Sequence, residues 1–308
     1  MPATKISLTQ TNWSVVVAAT LLFGLIVWTF WPAIGDMAEK WQTDPQYSHG
    51  YLVPIFAVGL AIWRRNRLDQ TKCRCDWRGL ILITIGAIGY VVGGYLYLDF
   101  ACGGALIPTL LGAALLLGGP AALRWSWPMI AFLAFMVPLP YRLESALGGP
   151  LQGIATSGST WLLQTIGLPA VSEGNVILLE QGRIAVVEAC NGLSMLLTFA
   201  AMTTAVAMVS TRPLLDRILV VLSTIPVALA VNIARITGNG IAIEAWDVQT
   251  AHRWFHDQGG WMMMPLALGL LAVELWVLGR LFPPASAAPV ASFVGRPAAL
   301  RKPVAAAR

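Results

Sequence analysis

Residues 64–98 read RRNRLDQTKCRCDWRGLILITIGAIGYVVGGYLYL, a basic stretch followed by an apolar one. The apolar part, residues 79–98, contains no charged side chain. An α-helix rises about 1.5 Å per residue and the hydrocarbon core of a bilayer is about 30 Å thick, so this stretch is long enough to cross a membrane. The residues before it are rich in Arg, which accumulates on the cytoplasmic side of membrane proteins. We therefore expect residues 64–78 to form a cytoplasmic loop.

Similar apolar runs recur along the chain. Its 308 residues are 57% hydrophobic and 11% charged, whereas about a quarter of the residues in a soluble protein are charged. This composition predicts an all-α, polytopic integral membrane protein with about eight transmembrane helices. The predicted spans are residues 13–32, 48–63, 79–98, 102–119, 126–141, 190–210, 218–238 and 260–279.

The distribution of charge sets the expected orientation of these spans. With residues 64–78 in the cytoplasm, fifteen of the 20 Lys and Arg fall in predicted inner segments and four in outer ones. Most Asp and Glu fall in the outer segments. Because the basic residues lie in short clusters between apolar runs, the net charge of +5 indicates a lipid bilayer as partner rather than nucleic acid. We expect a multi-pass membrane protein with both termini inside.

Two regions depart from the pattern of spans. Residues 142–189 are amphipathic, and the apolar stretches 176–179 and 184–187 around Gln181 and Gly182 predict a small extracytoplasmic hairpin between spans five and six. Residues 282–308 are rich in Pro and Ala and are expected to be a disordered cytoplasmic tail. The predicted transmembrane domain is therefore residues 1–281.

The candidate chemistry lies at the outer ends of three predicted spans. Cys190 begins span six, Arg235 lies near the end of span seven, and His256 precedes span eight. A cysteine nucleophile needs a base and a donor for the developing oxyanion, and His and Arg provide them. The supporting residues are Asn191 and Gly192, whose polar helix start favours a thiolate; Asn232, on the helical face of Arg235; and Asp257, beside His256.

Each of these residues has an alternative interpretation. Cys190 is equally well explained as a packed small residue, whereas an arginine that extends to the membrane interface is the less favoured interpretation of Arg235. The outer loop with Tyr47, Ser48 and His49 is either an interfacial anchor or a second source of an imidazole. His252 and His256 are four residues apart, but no glutamate lies between them and no third ligand is evident, so neither a metal site nor a cofactor is expected.

Four blocks of sequence resemble the exosortases, within the exosortase/archaeosortase family of membrane cysteine enzymes. The blocks are residues 44–54 with Tyr-Ser-His-Gly, residues 137–140 followed by 173–175, residues 188–193, and residues 232–236 followed by 256–261. Asn191 stands where family members commonly have serine.

The resemblance implies a role for each member of the outer cluster. Cys190 would be the nucleophile, Arg235 the residue that orients substrate or stabilises the oxyanion, and His256, rather than His49, the general acid and base. The implied substrates are exported proteins with a C-terminal tail made of a Pro-Glu-Pro-like motif, an apolar span and a basic end. The active site would face the periplasm, and the enzyme would serve protein sorting linked to exopolysaccharide production.

Two functions without catalysis remain open from the residues alone. A membrane transporter or export component would use Arg235 to bind an anion. A scaffold subunit of polysaccharide export would need neither Cys190 nor Arg235.

Overall fold

The computed structural model describes residues 13–67, 74–186, 192–246, 268–273, 275–277 and 280 of the chain. Helices dominate this part of the chain. They are α1 (Trp13–Thr29), α2 (Trp31–Thr43), α3 (Leu52–Arg64), α4 (Gly79–Tyr95), α5 (Asp99–Gly104), α6 (Leu106–Phe132), α7 (Tyr141–Thr165), α8 (Leu193–Val209), α9 (Leu214–Leu222) and α10 (Thr224–Ala245). The strands are β1 (Ala170–Glu173), β2 (Val176–Leu179) and β3 (Arg183–Ala185), and 3-10 helices occupy Pro45–Tyr51, Arg65–Arg67 and Leu133–Met136.

Helices α1, α3, α4 and α8 lie where spans were predicted, with ends that differ by a few residues. The second span was predicted to begin at residue 48, but α3 begins at Leu52 because the preceding residues form the 3-10 helix Pro45–Tyr51. Helix α2 was not predicted. It follows α1 after a bend of 60° and runs through residues that were assigned to an outer loop.

The described residues have the lengths and surfaces of a membrane protein. By length and composition, the helical runs Asp99–Met136 and Leu214–Ala245 could each cross a bilayer, and the bent pair of α1 and α2 is a third candidate if it crosses as one span. Large apolar side chains on α4, such as Ile81 and Ile88, are half exposed, as expected for a surface that faces lipid. The chain is a mostly helical membrane protein, and the total of eight spans stays a prediction.

The run Asp99–Met136 reverses its direction at Gly119. A straight helix would separate Gly103 from Val137 by about 50 Å, yet a Cβ atom on Gly103 would lie 3.3 Å from Cγ1 of Val137. Gly119 interrupts the helix with a φ of +63°, which glycine adopts readily. The segments before and after Gly119 therefore turn back toward each other, so Asp99–Met136 is not one straight span in spite of its length and composition.

Residues 142–189 contain more regular structure than the predicted hairpin. The predicted hairpin is present as β2 and β3, with Val176 opposite Ala185, and β1 adds a third antiparallel strand. The correction concerns α7, a helix of 25 residues that packs closely on α10. A Cβ atom on Gly158 would lie 2.8 Å from Cδ1 of Ile233, so the lack of a side chain at Gly158 allows the two helices to approach.

Helix α10 joins two apolar clusters of different composition. The first part of α10 packs on α8 through Ala228, Val231 and Phe199. The second part packs on α7 and the sheet, where Ile236 and Ile243 belong to a separate core. Asn232 lies between these two parts of α10 and is fully buried.

Candidate functional site

Helix α8 is preceded by a glycine that packs directly on α10. Gly192 has a φ of +86°, a left-handed conformation that costs other L residues about 1–2 kcal/mol. A Cβ atom at this position would lie 3.1 Å from Nδ2 of Asn232, whose side chain is 0% exposed. The structure therefore brings together two residues, Gly192 and Asn232, that were predicted to support the site.

Arg235 lies one turn beyond Asn232 on the same face of α10. Residues three apart in a helix are neighbours, separated by about 4.5 Å along the axis. Arg235 is half-buried, and it forms no hydrogen bond or ion pair with the residues that the structure describes. Oδ1 of Asn239, a further turn along, is buried and has no hydrogen-bond partner there either. The donors of Arg235 are thus not used for packing within the described part of the protein.

Val186, at which the chain leaves the sheet toward α8, is held by two hydrogen bonds to its backbone. The N–H of Val186 donates to the carbonyl oxygen of Asn175 at 2.9 Å. Nε2 of Gln152, on α7, donates to the carbonyl oxygen of Val186. Sequence reasoning does not identify Gln152, because its partner is a backbone atom 34 residues away. Val186 and Gly192 therefore have fixed positions on either side of the segment that contains Cys190.

The 3-10 helix Pro45–Tyr51 is buried on one side, through Tyr47 and His49, and exposed on the other, where Tyr51 lies. Tyr47 is 2% exposed, and its hydroxyl oxygen accepts a hydrogen bond from the N–H of Leu139 at 3.2 Å. Burial raises the pKa of this phenol. Ser48 differs from Tyr47 in being exposed, and its hydroxyl donates to the carbonyl of Pro45 at 3.0 Å. Of these two predicted supporting residues, only Tyr47 joins separate elements of the fold.

His49, on the 3-10 helix Pro45–Tyr51, lies between the 3-10 helix Leu133–Met136 and α8. It is 6% exposed, and Nε2 lies 3.2 Å from the carbonyl oxygen of Phe135 while Nδ1 lies 3.4 Å from Oγ1 of Thr198. Burial lowers the pKa of the imidazole, which favours its neutral form. Both ring nitrogens face fixed partners, so this arrangement favours a structural role over proton transfer to a substrate.

Four of the predicted site residues lie outside the described part of the chain. They are Cys190, Asn191, His256 and Asp257. The described residues contain no group of three metal-ligating side chains. The structure thus gives the positions of Gly192, Asn232 and Arg235 as one group, and it places His49 against Thr198 of α8.

The comparisons with known proteins give one family. A family model described as a transmembrane exosortase matches residues 41–273. The match covers three quarters of the chain and includes every predicted site residue from Tyr47 to Asp257. No curated protein and no solved structure matches the chain.

Proposed function

The chain belongs to the transmembrane exosortase family, and we propose that it is a membrane cysteine protease or transpeptidase that cleaves C-terminal sorting tails from exported proteins. The observation that supports this most directly is the contact between Gly192 and Asn232. Cys190 is two residues before Gly192, and Arg235 is three residues after Asn232. Two sequence blocks that carry the family resemblance are therefore joined at one point of the fold.

The proposed reaction begins with attack of the Cys190 thiolate on the scissile carbonyl carbon. The carbonyl oxygen becomes an oxyanion, which Arg235 stabilises through its guanidinium donors. His256 donates a proton to the leaving amine, and the bond to the tail breaks to give a thioester on Cys190. Water or an amine then attacks the thioester, transfers a proton to His256 and releases the processed protein.

The availability of Arg235 is consistent with this role. Arg212, which is also half-buried, uses its guanidinium within the protein, because Nη2 donates to the carbonyl of Leu275 and Nη1 lies 3.6 Å from Oδ2 of Asp216. Arg235 has no such partner among the described residues. A half-buried guanidinium with unused donors can bind the carbonyl oxygen or a carboxylate of a substrate.

The proposed substrate is an exported protein that ends in a Pro-Glu-Pro-like motif, an apolar span and a basic tail. Such a tail inserts with its basic end in the cytoplasm by the rule that orients this chain. The scissile region then lies at the periplasmic interface of the inner membrane, where we place Cys190. Insertion fixes the depth of the substrate before reaction, which lowers the entropic cost of bringing the two groups together.

The test is the processing of a tailed reporter in cells that carry single variants. We expect Cys190→Ala to leave the reporter uncleaved, whereas Cys102→Ala, a matched cysteine change on α5, cleaves normally. Normal cleavage by Cys190→Ala would refute the proposal. A phenotype of Arg235→Ala without one for Cys190→Ala would instead support anion transport, and no phenotype for either, with normal insertion, would support a scaffold.

A further inference from the structure

The buried His49 has a partner at each ring nitrogen, and we assign the proton of the neutral ring to Nε2. Nε2 is 3.2 Å from the carbonyl oxygen of Phe135, an atom that can only accept, and this contact supports the assignment. In the neutral ring Nδ1 is then an acceptor, and the Thr198 hydroxyl at 3.4 Å is the donor. The side chain of His49 thus connects the 3-10 helix Leu133–Met136 to Thr198 of α8.

Thr198 makes a different bond from other helical threonines of this protein. The hydroxyls of Thr109, Thr156 and Thr203 each donate to the carbonyl four residues earlier in their own helix at 2.8 Å. The hydroxyl of Thr198 points to Nδ1 of His49, a residue 149 positions away in sequence. This bond therefore fixes α8 against another element, which a bond within the helix does not do.

We propose that His49 is a positioning residue, which sets the location of the α8 N-terminus, and with it Cys190, through Thr198 and Phe135. Thr198 is six residues after Gly192, about 9 Å along the helix axis. A helix of this length moves as a rigid element, so a displacement at Thr198 is passed to Gly192. Asn232 holds α8 from the side of α10, and His49 holds it from the side of α6. This inference rests on the proposed role of Cys190.

Paired substitutions separate the two bonds of the imidazole. Thr198→Val removes the hydroxyl at constant shape, and Thr198→Ser retains it. In His49→Gln the amide N–H can take the place of Nε2 and donate to Phe135, but a methylene group stands where Nδ1 accepts from Thr198. We expect Thr198→Val and His49→Gln to lower the kcat of reporter cleavage in membranes five- to tenfold, with KM within twofold of wild type. Thr198→Ser should retain at least half of the wild-type kcat. Thr84→Val, on the exposed face of α4, is the matched control and should retain wild-type activity.

The double variant His49→Gln with Thr198→Val should be no slower than the slower single variant, because both changes remove the same bond. Multiplied defects would overturn the proposal, as would a Thr198→Val enzyme with wild-type kcat. If His49 were the proton-transfer group, both His49→Gln and His49→Asn would abolish cleavage while Thr198→Val would not, and that pattern would also overturn it.

Amide hydrogen exchange of the full chain in detergent tests the position of α8 without any substrate. The N–H of Leu196 donates to the carbonyl of Gly192 at 2.9 Å in the first turn of α8. We expect faster exchange in this turn in Thr198→Val than in wild type, and unchanged exchange in α4. Unchanged exchange in α8 would overturn the proposal even if the variant were slow. Cleavage by Cys190→Ala would instead show that the proposed function is wrong, and the exchange result would still decide whether His49 fixes α8.

Discussion

Replacing Gly192 with alanine tests whether the contact between α8 and α10 sets the geometry of the site. The left-handed backbone of Gly192 costs an alanine about 1–2 kcal/mol. Its methyl group would lie 3.1 Å from Nδ2 of Asn232, closer than an ordinary van der Waals contact. Because Asn232 is fully buried, its amide has little room to move, and overpacking of this kind costs about 1–3 kcal/mol. We expect Gly192→Ala to lower the free energy of unfolding by roughly 2–5 kcal/mol.

Gly167→Ala is the matched control for backbone strain. Gly167 has a φ of +91°, and a Cβ atom there would have nothing within 4 Å. This variant should lose only the strain energy, about 1–2 kcal/mol, and should cleave the reporter within twofold of the wild-type rate. Both variants are compared by unfolding in the same detergent and by reporter cleavage in cells. A displaced reacting group of about 1 Å can cost 100-fold in rate, so we expect Gly192→Ala to be slower by tenfold or more. Equal stability and equal cleavage in the two variants would refute the reasoning.

Two further changes test the charge at the site and the packing of the membrane helices. Arg235→Lys keeps the positive charge but loses the planar pair of donors, so we expect reporter cleavage to fall at least tenfold at an unchanged amount of protein; wild-type cleavage would argue against oxyanion binding by this side chain. Gly86→Ala places a methyl group against the hydroxyl of Thr109 on α6 and should lower thermal stability in detergent. Gly94→Ala is the control, because a Cβ atom there has nothing within 4 Å, and it should not lower thermal stability. Equal melting temperatures of the two variants would contradict the close packing of α4 on α6.

Much of the helical framework could be predicted because its signals are local. The first residue of α4 follows directly from the switch between a basic loop and an apolar run at Gly79. The hairpin of β2 and β3 follows from two apolar stretches around Gln181 and Gly182. Helix α7 was missed because Pro150 and its glycines are typical of loops in isolation. The helix is stable in this fold because Gly158 removes the obstacle to close packing on α10, which is a tertiary effect that no local pattern contains.

The same distinction applies to the candidate site. Asn232 and Arg235 are evident in the sequence because polar residues in an apolar helix are costly and share one face. Thr198 and Gln152 are not evident, since each is a common polar residue whose importance comes from a partner far away in sequence. The partner of Gln152 is a backbone carbonyl, which has the same chemistry at every position. Sequence reasoning thus identifies residues whose type is unusual for their surroundings. It does not identify common polar residues whose importance comes from a partner far away in sequence.

The position of Asn232 gives a physical reason why a reaction on a membrane-anchored tail would be placed here. One end of α10 packs on α8, and the other packs on α7 and the sheet, so the middle of the helix is fixed from both directions. A group on this part of α10 keeps its place whether or not lipid or substrate surrounds the rest. A mobile loop would have to be ordered in each catalytic cycle at a cost in conformational entropy. If Arg235 binds the oxyanion as proposed, its helix is already in place before the substrate arrives, and the binding energy of the tail is available for the reaction step.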